Sequence, residues 1–161
     1  MKKILIFAAT LTLATVAFIS TREASANNDN GTVPHLDGSS SFPPTRSDIV
    51  RYTFRVHIPK NSKAMSQLII KVPEVITVSK KNKVEVVDGN GQKVSANVSM
   101  NDQTILITFS EPVRSNTQLE IDIKNVKRPT LGNGPVYRLL AKFVDSNTEI
   151  PIGVARFRIG I

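Results

Sequence analysis

The chain contains no cysteine and no tryptophan in 161 residues, and only two histidines. Without cysteine there can be no disulfide, no thiol nucleophile and no lipid-bearing thiol, so stability has to come from an apolar core. Nine aromatic residues, seven Phe and two Tyr, are too few and too regularly placed on apolar rows to suggest stacking platforms for neutral sugars. Acidic residues are scarce as well: 13 Asp and Glu stand against 21 Lys and Arg, a formal charge of +8. What the chain has instead is a single long apolar run at its start and short alternating runs after it.

Lys2 and Lys3 precede a run from Ile4 to Ile19 that is apolar apart from threonines, and Ala24-Ser25-Ala26 fits the small-x-small rule for signal cleavage. That run is shorter than the roughly 20 residues needed to span a bilayer. We therefore expect residues 1–26 to be a cleavable signal peptide, with the mature chain beginning at Asn27 and carrying no transmembrane segment. The expected location is exported, either periplasmic or extracellular. Cleavage leaves 18 Lys and Arg against 12 Asp and Glu, a charge of +6 on one domain's worth of chain. Residues 27–47 are rich in Asn, Ser, Gly and Pro and read as a flexible polar lead-in; 48–161 read as a single domain.

Period-two alternation runs through that domain. In 49–58, Val50, Tyr52, Phe54, Val56 and Ile58 share one face, and Arg51, Thr53, Arg55 and His57 share the other, the pattern of a central strand. Leu68, Ile70 and Val72 alternate next, and 75–78 reads as a short strand or edge segment. Asp88-Gly89-Asn90-Gly91 predicts a tight hairpin joining 84–87 to 92–98. A glycine-rich turn can also cradle phosphate, but that use needs a helix after it, and here a strand pattern follows. Ile105, Ile107 and Phe109, then Leu119, Ile121 and Ile123, predict two strands folding back as a long-looped hairpin around Pro112. Tyr137, Leu139, Ala141 and Phe143, then Ala155, Phe157 and Ile159, complete the series. Eight or nine short strands without an amphipathic helix predict an all-β, immunoglobulin-like antiparallel β-sandwich. The expected core is Phe42, Tyr52, Phe54, Ile70, Phe109, Ile121, Leu139, Phe143 and Phe157.

Several runs together, VPHLDGSSSFPP, YTFRVHIPKNS, SQLIIKVPEVITVS, ITFSEPV with NTQLEIDI, and the closing IPIGVARFRI, resemble a family of secreted cyanobacterial proteins defined as domain of unknown function 2808. The resemblance covers about Val33 to Ile159. It implies an extracytoplasmic bacterial setting and brings no catalytic residues with it. It also makes Asn30-Gly31-Thr32 and Asn97-Val98-Ser99 chance matches to the eukaryotic glycosylation pattern.

The chemistry that the residues themselves suggest is non-catalytic binding or a structural role in the cell envelope or extracellular space. Alternation puts Arg51, Arg55, Arg138, Arg156 and Arg158 outward. If their strands share a sheet, they form a basic face for an anionic envelope polymer or exopolysaccharide; another envelope protein is the other expected partner. Nucleic acid is not expected, because export separates the chain from it and the cations are not interleaved with outward aromatics. A copper carrier using His35, His57, Met65 and Met100 is the alternative, weakened by the absence of ligand spacing. His35 and Asp37 are close in sequence but make no metal motif by themselves. An enzyme would need a positioned nucleophile and base; Glu120 and Asp122 form the nearest thing to a carboxylate pair, and cross-strand ion pairing accounts for them more simply. No cofactor, metal or catalytic residue is expected.

Overall fold

The computed structural model describes residues 31–44, 47–101, 103–130 and 132–159. The expected signal peptide lies outside the described residues. Among the described residues there are nine strands: β1 (His35–Phe42), β2 (Ile49–Ile58), β3 (Met65–Lys71), β4 (Lys83–Asp88), β5 (Ala96–Asn101), β6 (Thr104–Val113), β7 (Thr117–Lys127), β8 (Val136–Phe143) and β9 (Ser146–Arg156). They form two antiparallel sheets, one in the order β1-β2-β7-β4 and the other in the order β5-β6-β3-β8-β9. The described residues contain no helix. This is the expected immunoglobulin-like sandwich, and β2 lies inside its sheet as its clean alternation predicts.

The inward rows make the core. Tyr52 and Phe54 from β2 meet Tyr137 from β8 and Phe157 just beyond β9, with ring centroids 4.1 to 5.6 Å apart. Eight of the nine expected core residues are buried. The exception is Phe42, 61% exposed on the outer face of β1, where its ring lies 5.4 Å under the Arg51 guanidinium. It shares the outward face of its neighbour because Phe42 pairs with Arg51 in register.

Pairing departs from expectation in four places. The polar stretch read as a lead-in contains β1, an edge strand zipped to β2 from His35↔His57 to Phe42↔Arg51. Its serines and glycine gave no alternation to detect, and the backbone bonds to β2 hold it regardless of side chain. The two arms around Pro112 are strands, but β6 belongs to one sheet and β7 to the other, so the turn at 114–116 crosses the sandwich instead of closing a hairpin. Pro112 sits within β6, opposite the irregular register at Met65/Gln67. The Asp88–Gly91 turn forms as predicted, with Gly91 at φ 77° and Asp88 Oδ1 accepting from Asn90 and Gln92 N–H. Pairing past it stops after the Val87↔Lys93 bridge, and β5 leaves for the second sheet. Residues 75–78 are not a strand: Pro73 cannot donate, Ile76 N–H turns back to its carbonyl at 2.9 Å, and Ile76 and Val78 fill the core from a loop. Buried Asn82 anchors this loop, donating from Nδ2 to the carbonyls of Lys124 and Asn125.

The outer edges on one side of the sandwich touch. A Cβ on Gly153 of β9 would stand 2.4 Å from Leu36 Cβ of β1, so only glycine allows this approach. Gly153→Ala should cost about 1–3 kcal/mol through overpacking, read as a lower denaturant midpoint with unchanged slope. Among the core rings, the Tyr137 hydroxyl is buried with no hydrogen-bond partner. Burial, and then the neighbouring Tyr52, push its ionisation well above the usual tyrosine range. Tyr137→Phe should therefore be neutral or raise stability by about 1 kcal/mol, since it removes an unsatisfied buried group and keeps the ring. Thermal unfolding would check it, and a loss of more than that would mean the hydroxyl has a partner.

Candidate functional site

Both sheets present polar rows to solvent, and the two rows differ in how their charges are met. On the four-stranded sheet, Arg55 sits opposite Glu120 and Thr53 opposite Asp122, because β2 pairs with the acidic strand β7. Arg55 Nε donates to Glu120 Oε2 at 3.3 Å, and Arg51 Nη1 lies 3.7 Å from Asp122 Oδ2. Thr53, only 5% exposed, donates its hydroxyl to Asp122 Oδ1 at 2.5 Å. One strand further on, Lys124 Nζ reaches Glu85 Oε2 at 2.6 Å. Glu120 and Asp122 thus meet cations across the strand, and Asp122 also accepts from Thr53.

The five-stranded sheet is organised differently. One row across its outer face reads Asn101, Thr104, Lys71, Arg138, Val154 from β5 to β9. Lys71 and Arg138 are directly opposite each other, an arrangement that like charges normally make unfavourable. Arg156 sits opposite Val136, diagonal to Arg138 and so about 7–8 Å from it. Lys71 Nζ donates to the Thr104 hydroxyl at 3.5 Å, and among the described residues no carboxylate lies within ion-pairing distance of Lys71, Arg138 or Arg156. Arg158 is exposed two residues past the end of β9. The adjacent row is apolar: Leu106, Ile69, Leu140 and Pro151 follow one another across four strands, and Ile69 is 3% exposed although it points outward. Beyond it Lys142 is met by Glu149 at 3.7 Å.

The five expected arginines are therefore not brought onto one face. Arg51 and Arg55 belong to the charge-paired sheet; Arg138 and Arg156 belong to the uncompensated one, with Arg158 beside its edge. Lys71 joins them, and sequence reading missed it. Alternation of Gln67, Ile69 and Lys71 put it outward, but its place beside Arg138 depends on β3 pairing with β8, some 65 residues on.

The two histidines do meet. His35 pairs with His57 across β1 and β2 with ring centroids 5.2 Å apart, and His35 Nε2 lies 3.0 Å from Asp37 Oδ1. The histidines lie on the four-stranded sheet, whereas Met65, fully buried on β3, and Met100 on β5 belong to the five-stranded one, so the four residues of the copper reading are not gathered. Among the described residues no group of three or more His, Asp or Glu is placed to hold a metal ion. A cleft of 640 Å³ is lined by Asp88, Ser95, Ser110, Glu111 and Arg114 among others, on the side where the chain passes from β4 to β5.

The architecture defines an immunoglobulin-like β-sandwich. Within that class, the chain belongs to the DUF2808 family of proteins of unknown function, whose model matches residues 27–154. Among curated proteins nothing matches. Solved structures share the fold. The N-terminal domain of the Streptococcus gordonii adhesin Sgo0707 is 13% identical with a TM-score of 0.53, covering 78% of this chain and 32% of that one. The pilus backbone RrgB of Streptococcus pneumoniae is 9% identical with a TM-score of 0.51, covering 68% and 52%. A chain of the RrgA Jo.In complex is 12% identical with a TM-score of 0.54, covering 80% and 82%. The chain thus spans about a third of the adhesin chain and about half of the pilus backbone, and at these identities the likeness is one of fold. No helix among the described residues is long and apolar enough to cross a membrane.

The tightest ion pair offers a direct electrostatic check. The hydrogen bond from Lys124, and then its charge, hold the Glu85 carboxyl below the usual glutamate range. Because the folded value is depressed, the pair stabilises the fold above the ordinary glutamate pKa and loses that effect as pH falls through the lowered value. Lys124→Met should bring the Glu85 titration, followed by carboxyl NMR, back up toward the ordinary value; a titration that stays put would mean that Lys124 is not its partner in solution.

Proposed function

We propose that this chain is a non-catalytic binding module of the cell envelope or extracellular space, and that it takes an anionic envelope polymer or exopolysaccharide on the outer face of its five-stranded sheet. The observation that carries this is the Lys71–Arg138–Arg156 cluster: cations directly opposite and diagonal, with no carboxylate within ion-pairing distance among the described residues. A sulfate or carboxylate group seated there supplies the missing counter-charge, and the Arg guanidinium forks can hold it in two-point contact. Arg158 extends the same patch. Arg51 and Arg55 play no part in it, since their carboxylate partners already neutralise them. The export signal expected in residues 1–26 supports this setting, and so does the fold shared with adhesin and pilus domains.

The test is retention on heparin and on acidic exopolysaccharide across a salt gradient. Arg138→Glu with Arg156→Glu should elute at much lower salt than the unaltered chain. Lys80→Glu with Lys81→Glu, the same change in charge on the exposed loop before β4, should elute close to it. Equal loss in both variants would mean that retention follows net charge alone, and the patch reading would fall.

A further inference from the structure

Edge strands of a sheet expose unpaired backbone groups, and proteins usually blunt them with charge, proline or a bulge. Three of the four edges here are blunted. β1 carries a bulge between Leu36 and Gly38, β4 carries Lys83, Glu85 and Asp88, and β9 carries Pro151 with two register shifts. β5 has none of these devices: Ala96-Asn97-Val98-Ser99-Met100-Asn101 pairs with β6 in unbroken register and contains no charged residue and no proline.

The direction of its free hydrogen-bonding groups follows from the pairing. Ser110 N–H donates to the Ser95 carbonyl at 3.0 Å, so odd-numbered residues of this strand bond to β6, and by alternation the N–H and C=O of Ala96, Val98 and Met100 point to the open edge. The strand is also only partly covered on its inward face, where Ala96, Val98 and Met100 pack at the margin of the core. β2 lies over β8 through the Tyr52–Tyr137 contact and β1 lies against β9, so a four-stranded sheet facing a five-stranded one leaves β5 with no strand opposite. Ala96, Val98 and Met100 are accordingly only half-buried, whereas Ile105, Ile107 and Phe109 on neighbouring β6 are 5% exposed or less.

We infer that the β5 edge is an interface for a second copy of this chain, the two β5 strands pairing antiparallel about a twofold axis at Val98 to make one ten-stranded sheet. The occupant is argued from charge and self-fit. The chain is basic, +8 in full and +6 after the expected cleavage, so its unpaired cationic surface repels a second copy; β5 is an uncharged stretch where like charge does not oppose approach. An acidic partner strand would find no cation on this edge to meet. Centred on Val98, the register sets Val98 against its own counterpart and Ala96 against Met100 of the second copy. Asn97 then faces Ser99, so apolar meets apolar and polar meets polar. Each of Ala96, Val98 and Met100 would exchange both backbone bonds, and the half-buried inward row would continue from one sandwich into the next.

The purified chain should sediment as a concentration-dependent dimer. Val98→Pro removes an N–H that the sandwich itself does not use, so it should keep the circular dichroism of the unaltered chain and sediment as a monomer. Because the chain has no cysteine, Val98→Cys introduces a lone thiol, and opposed residues of a hydrogen-bonded antiparallel pair stand about 5.5 Å apart at Cα, within disulfide reach. Oxidation with diamide should convert Val98→Cys to a covalent dimer and leave Met100→Cys uncoupled. A monomer at every concentration, or cross-linking that is equal at both positions, would overturn the inference. So would a dimer that survives Val98→Pro.

Discussion

Four rings between the sheets set the position of everything else. With no disulfide available, the registration of one sheet over the other depends on how Tyr52 and Phe54 of β2 pack against Tyr137 and Phe157. Edge-to-face rings are directional as well as apolar, so they fix the relative placement of the sheets more tightly than aliphatic burial would. Seating β2 over β8 brings the β1 and β9 edges into contact, close enough that Gly153 has no room for a side chain. The same placement pushes the odd fifth strand out at the opposite side. A contact in the core thus explains both a closed edge and an open one.

The contrast between the two outer faces is a matter of strand neighbours. Alternation directs cations outward on β2, β3, β8 and β9 alike. On the four-stranded sheet β7 supplies Glu120 to Arg55 and Asp122 to Arg51, and β4 supplies Glu85 to Lys124, while Lys83 stands opposite Lys124. On the five-stranded sheet only Lys142 finds such a partner, in Glu149. Exposed pairs of this kind contribute little to stability, roughly 0–1 kcal/mol each. Their larger effect is to cancel potential over one face while the other keeps it.

Period two was legible in the residues because it reports which face of a strand is buried, and the inward rows read from it are the core. It says nothing about which strand lies alongside. Thr104–Val113 and Thr117–Lys127 alternate cleanly and are close in sequence, yet they serve different sheets, since a short turn can cross a sandwich as easily as it can close a hairpin. The Asp88–Gly91 turn was read correctly from its glycines, but turn chemistry governs only the few residues around it. His35–Phe42 escaped because its hydrogen bonds are main-chain and its side chains are mostly small and polar. Phe42 was expected inside because it is aromatic, and its parity on β1 places it outside. The candidate site suffered from the same limit: Arg138 and Arg156 were visible as outward cations, while Lys71 became part of the group only through the β3–β8 pairing.

Both readings of the five-stranded sheet, the cationic patch and the open edge, stand on separate observations, and their geometry has a joint consequence. The patch lies around β3 and β8, about three strand spacings inward from the β5 edge. Two copies joined through β5 would carry their patches on one continuous face, β8 to β8 roughly 33 Å apart across the sheet at about 4.7 Å per strand, and offset along the strands because the patch row is in line with Asn101 and not with Val98. A small anion would bind each patch independently at that distance. A polyanion long enough to span both would gain from the second contact being intramolecular, so its retention would rise with dimer fraction while that of a monovalent anion would not. Pairing through any other edge would set the patches in a different relation, so the dependence of polyanion affinity on chain length would report on the sheet arrangement itself.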